Sequence, residues 1–194
     1  MFVARSNIYV ALGAAVLCYA NARLMGLSLG WLPYTLSFCY ILSVHLMAHF
    51  TDRGALALKK PATFSEGTRT HPRLYAAMAL ISAALALLLA GVNGAASLLI
   101  MVLLLLLGLV YHIDLPLFTP PVGGKKLSLR LIPASKDLFM GLGWAFVTVF
   151  YPLFLREHSI ASPAFPLTFT GTFLLVTIRS LFFDVRDIQG DKIV

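Results

Sequence analysis

Asp184, Asp187 and Asp191 are three of only eight acidic residues in the chain, and all three fall in its last eleven positions. They sit in the run Phe183-Asp184-Val185-Arg186-Asp187-Ile188-Gln189-Gly190-Asp191. Residues three and four apart on a helix share a face, so a helix continued through this run carries one acidic stripe. Carboxylates that close repel one another unless a cation lies among them. Mg²⁺ takes oxygen ligands of this kind, often together with substrate phosphates. The competing reading is a solvated loop whose acids cap or pair with Arg186 and Lys192. A second cluster lies in His45-Leu46-Met47-Ala48-His49-Phe50-Thr51-Asp52-Arg53, where His45, His49 and Asp52 follow at four and three residues. That spacing permits a metal site with imidazole and carboxylate ligands. Hydrogen bonding at a helix end accounts for the two histidines equally well, which leaves Asp52 as the stronger candidate.

The elements that must position these groups are apolar helices. Hydrophobic residues make up 59% of the 194-residue chain and charged residues 12%, with a mean hydropathy of +0.87. Soluble domains carry about 25% charged residues, and a soluble core cannot absorb this much apolar surface. Between Arg73 and Lys125 the only formal charge is Asp114. At about 20 residues per span, the uncharged stretch from Tyr75 to Tyr111 is two helices and a tight turn. Six apolar segments follow, at Asn7–Ala22, Leu29–Phe50, Leu74–Ala90, Ala95–His112, Leu138–Leu155 and Ala164–Phe182. Trp31, Tyr75, Tyr111 and Tyr151 lie near their ends, as interfacial aromatics do. The expected fold is a single all-α domain over 1–194, a polytopic transmembrane helical bundle. The start of the chain, with Arg5 before an apolar run, is read as a first span rather than a signal peptide, because the apolar pattern resumes so soon.

Placing the N-terminus in the cytoplasm puts 13 of the 15 basic residues on the cytoplasmic side, leaving Arg23 and Arg156 opposite. The positive-inside rule favours that orientation, which also gathers Asp52, Arg130, Lys136 and the final acidic cluster on one face. The net charge of +7 then suits anionic lipid headgroups. No nucleic-acid module or basic–aromatic interleaving is present, so nucleic acid is not expected as a partner. Cys18 and Cys39 lie in apolar segments and read as small hydrophobes.

These residues resemble the UbiA superfamily of intramembrane prenyltransferases, which carries one Asp-rich motif after the second helix and another after the sixth. Asp184, Asp187 and Asp191 match the second motif, Asp-x-x-Asp-x-x-x-Asp, in full. The stretch Arg130-Leu-Ile-Pro-Ala-Ser-Lys136-Asp137-Leu138, running into Gly143-Trp144-Ala145 and Tyr151-Pro152, is similar to the family's loop and fifth helix. The first motif departs from the pattern. Aligned on Asp52 the chain has Ala48, His49 and Leu56, so one of three carboxylates remains, with His49 able to replace a ligand. The family's Tyr-x-x-x-Lys pattern is also missing, since Tyr111 is followed by Leu115. Family members have nine helices; six spans are expected here, and the chain reads as an incomplete frame lacking the last three.

The resemblance implies Mg²⁺-dependent transfer of a prenyl group from an isoprenoid diphosphate to an aromatic or lipid acceptor in the membrane. It implies Asp52, Asp187 and Asp191 as catalytic metal ligands, with Asp184 and His49 beside them. Arg53, Arg130 and Lys136 are the corresponding diphosphate contacts, because guanidinium and ammonium groups bind phosphate oxygens. The positive-inside bias explains the same basic residues without a ligand. The alternatives are a catalytically impaired or non-enzymatic member of the same fold, and a CDP-alcohol phosphotransferase. The latter needs two Asp groups within one continuous motif, whereas Asp52 and Asp184 are far apart. A transporter would place polar residues mid-span, and few are apparent.

Overall fold

The computed structural model describes residues 7–51, 72–112, 135–155 and 163–190, with side chains at all of these except 49–51, 110–112 and 184–190. No strand occurs among the described residues. Six helices follow one another: α1 Ile8–Leu24, α2 Leu32–Thr51, α3 Pro72–Val92, α4 Ala95–His112, α5 Ser135–Leu155 and α6 Ala164–Gly190. Each falls on one of the apolar segments read from the sequence, and α4 has the expected bounds. The largest difference is α6, which runs eight residues past Phe182. Hydropathy marks where a helix stops being apolar; the backbone hydrogen-bond ladder has no reason to stop there.

α1 and α3 carry mostly small residues inward and large ones outward. On α3 the buried positions are Tyr75, Ala79, Ser82, Ala86 and Ala90, while Leu80, Ile81, Leu88 and Val92 are 60–78% exposed. Small residues let two backbones approach closely, which is how helices associate in lipid. Large exposed apolar faces are unfavourable in water, at about 25 cal/mol per Å², and carry no such cost in lipid. Three helices, Pro72–Val92, Ser135–Leu155 and Ala164–Phe183, are long and apolar enough to cross a membrane. Half of α5's apolar window is buried, against 28% for α3 and 22% for α6, so α5 is the most enclosed of these three.

The turn after α1 is closed by two backbone bonds, Gly26 N–H to the Arg23 carbonyl and Leu27 N–H to the Ala22 carbonyl. This pairing needs a left-handed residue, and Gly26 supplies it with φ 71°. It reverses the chain, so that Cys18 on α1 donates to the Pro33 carbonyl at the start of α2. Asn93 and Gly94 turn the chain between α3 and α4, with their N–H groups on the Ala90 and Gly91 carbonyls.

Within α5, residues Phe146–Phe150 form a π-helical turn. Pro152 explains it: a proline ring clashes with the carbonyl four residues back, here Thr148, and offers no N–H. Widening the turn relieves the clash, and the Tyr151 N–H bonds to the Phe146 carbonyl instead.

Candidate functional site at one end of α2, α5 and α6

Interhelical contacts fix the register of the bundle. Ser37 Oγ of α2 donates to the Val147 carbonyl of α5 at 3.1 Å, and the His45 ring lies edge-on to Trp144, centroids 6.3 Å apart. Sequence numbers thus rise on α2 as they fall on α5. The Tyr40 hydroxyl donates to the Leu104 carbonyl, and Gly108 faces Val44, so α4 runs the same way as α2. Gly141 of α5 packs on Phe173 and Thr177 of α6, and Ser180 Oγ donates to Met140 Sδ at 3.7 Å. The C-terminal ends of α2, α4 and α6 therefore meet the N-terminal end of α5.

Five of the residues singled out from the sequence lie in the elements that meet at that end, His45 among them, nearly two turns before the end of α2 and beside Trp144. His49 is in the last turn of α2, Lys136 is exposed in the first turn of α5, and Asp184 and Asp187 are in the last two turns of α6. Asp52, Arg53, Arg130 and Asp191 lie outside the described residues. No group of three or more His, Cys, Asp or Glu side chains that could hold a metal occurs among the described residues.

Toward that end, α6 touches α5 through positions 173, 177 and 180. Helical periodicity carries that stripe on to 184 and 187. On α5 the stripe that touches α6 includes Met140 and Gly141; one turn earlier it reaches Asp137. Asp137 is 3% exposed, and its Oδ1 has no hydrogen-bond partner among the described residues. The same holds for Thr177 Oγ1, Trp144 Nε1 and Ser43 Oγ, all buried. A buried carboxylate oxygen without a partner is costly, and native interiors leave few such atoms.

Farther along, the polar groups satisfy one another. Asn21 Nδ2 of α1 donates to Thr148 Oγ1 (3.1 Å), which donates to the Trp144 carbonyl (2.7 Å), and Thr172 Oγ1 of α6 donates to Asn21 Oδ1 (3.3 Å). The hydroxyls of Ser97 and Tyr151 also bond to each other. Phe146, Phe150, Phe165 and Phe169 then form a half-buried aromatic column between α5 and α6, with ring centroids 5.3–6.5 Å apart.

Reading by sequence passed over Asp137 as a binding group, although it lies inside the family-like stretch, and it missed the Asn21–Thr148–Thr172 network. The only local signal for Asp137 is an acid in the first turn of an otherwise apolar helix; its burial is a tertiary property that no local pattern carries. No family model, curated protein or solved structure matches this chain.

Proposed function

We propose that this chain is an integral membrane prenyltransferase of the UbiA type, acting with Mg²⁺ on an isoprenoid diphosphate and a hydrophobic acceptor. The observation that carries the reading is the unbroken run of α6 from Ala164 to Gly190. It keeps positions 184 and 187 at helical spacing on the stripe that meets α5, beyond the apolar part of the helix. Six apolar helices read as six spans, with the acidic end and the N-terminus on the cytoplasmic side, as the basic residues favour.

Mg²⁺, when bound, supplies positive charge against which the diphosphate leaves. Asp184 and Asp187, with Asp52 and Asp191 from adjoining segments and His49 beside them, are the residues that would hold it. Lys136, Arg53 and Arg130 would bind diphosphate oxygens at the same face. The bond between the allylic carbon and the diphosphate oxygen breaks, its electron pair leaving with the diphosphate. The acceptor then bonds that carbon and gives up a proton. A prenyl tail needs a water-free lodging, and the phenylalanine column between α5 and α6 offers apolar faces leading away from the acidic end.

Release of diphosphate from a labelled prenyl diphosphate, with Mg²⁺ and an acceptor panel, tests this. Asp187→Asn should lower the rate about 100-fold or more, the scale at which a group stabilising transition-state charge acts. Folded protein without turnover across the panel overturns the assignment. The eroded first motif favours a second reading, a non-catalytic relative. In that case restoring carboxylates with His49→Asp and Leu56→Asp should create Mg²⁺ binding that the natural chain lacks.

A further inference from the structure

We propose that Asp137, in the first turn of α5, is a ligand to the divalent cation held at the acidic end of α6, so that α5 supplies a carboxylate that the eroded first motif does not. The inference deepens the prenyltransferase reading and rests on it for the identity of the cation.

Three observations carry it. The first is the buried Oδ1 of Asp137, which has no hydrogen-bond partner among the described residues. The second is register. Ser180 of α6 is level with Met140 of α5; Asp137 lies three residues back, about 4.5 Å, and position 184 four residues on, about 6 Å, at 1.5 Å per residue. Counted from the Gly141–Thr177 contact the offset is about 4.5 Å, so the two positions are level to within about 2–5 Å, less than one helical turn, on the stripes by which the two helices touch. The third is Thr177 Oγ1, a second buried oxygen without a partner among the described residues, one turn deeper on the same seam.

The donor chemistry fits a hard cation. Carboxylate and hydroxyl oxygens are the ligands that Mg²⁺ accepts, whereas indole N–H and imidazolium groups would repel it. A second carboxylate placed opposite positions 184 and 187 without a cation would add repulsion to an already acidic helix end. Nearby Arg179 has its guanidinium over the Phe183 ring, 5.4 Å from the centroid. A buried carboxylate oxygen with no partner among the described residues is thus explained by the cation that the same end needs.

Mn²⁺, as a paramagnetic stand-in for Mg²⁺, tests this on the full chain in detergent micelles with inorganic diphosphate present. The chain has two tryptophans, so ¹⁵N-indole labelling gives two resolved side-chain signals. Trp144 is seven residues from Asp137 on α5, about 10 Å along the axis. Trp31 precedes the first residue of α2, at the opposite end. Substoichiometric Mn²⁺ should broaden the Trp144 signal first and leave Trp31 sharp. Asp137→Asn should raise the Mn²⁺ dissociation constant about tenfold or more, and Asp137→Glu should restore part of it.

Broadening of Trp31 at least as early as Trp144, or unchanged affinity in a folded Asp137→Asn protein, overturns the inference. If affinity then still depends on Asp187, the prenyltransferase reading stands without Asp137. Asp137-dependent Mn²⁺ binding with no prenyl turnover upholds the metal ligand and overturns the enzyme. Failure of the natural chain to bind Mn²⁺ at all overturns both.

Discussion

Gly141 has no room for a side chain. A Cβ there would collide with Thr177 Oγ1 and lie 3.0 Å from the Phe173 carbonyl, so the α5–α6 seam is as close as it is because residue 141 has none. Gly141→Ala should destabilise the fold by about 1–3 kcal/mol, the usual cost of overpacking, read as a lower melting temperature in detergent. Adding Thr177→Ala removes one clash and should recover part of the loss; an additive double mutant would refute the proposed contact. Asn21 makes the complementary case, because it bridges Thr148 and Thr172 across three helices. Asn21→Leu should cost about 0.6–1.7 kcal/mol, as interhelical hydrogen bonds in membranes do, by the same melting assay. Neither residue is legible in the sequence as a contact. Gly141 is one of 14 glycines, and what it permits depends on a helix that arrives 30 residues later.

At the scale of the element, apolar run length in the sequence located each of the six helices among the described residues, because lipid-compatible stretches bounded by charge leave little freedom of placement. It missed what happens at helix ends and interiors. The eight-residue extension of α6 lies in a polar sequence whose hydropathy resembles a loop, although its i, i+3 acid spacing suits a helix. The π turn at Phe146–Phe150 had one visible cause, Pro152, which the apolar pattern around it conceals. The extension of α6 is the part on which the functional reading depends, and it can be broken alone. Val185→Pro removes a backbone N–H and clashes with the Leu181 carbonyl, at about 3 kcal/mol within a helix. It should unwind the last turns while leaving Ala164–Phe183 helical. The expected result is near-native far-ultraviolet circular dichroism with Mn²⁺ binding and prenyl transfer both lost. Retained binding would mean that the acids do not act from a helical stripe.

For the whole molecule, the alternation of helix direction gives the bundle two chemically different ends. The end where α2, α4 and α6 finish leads into the segments that hold most of the basic residues. The other end carries the Gly26 and Asn93–Gly94 turns and Arg23 in the last turn of α1. If all six helices cross the membrane, a label placed at the second end must be reachable only from outside the cytoplasm. The two native cysteines are buried, so Cys18→Ala and Cys39→Ala give a background in which single cysteines report position. Asn93→Cys should react with a membrane-impermeant maleimide in intact spheroplasts and be protected in inverted vesicles. Ser128→Cys, in the basic segment between α4 and α5, should show the opposite pattern. Reversal at both sites would keep the bundle and invert its orientation, moving the acidic end out of the cytoplasm. Labelling of both from the same side would remove the α4 crossing, and with it the six-span arrangement that brings α2, α5 and α6 to a common face.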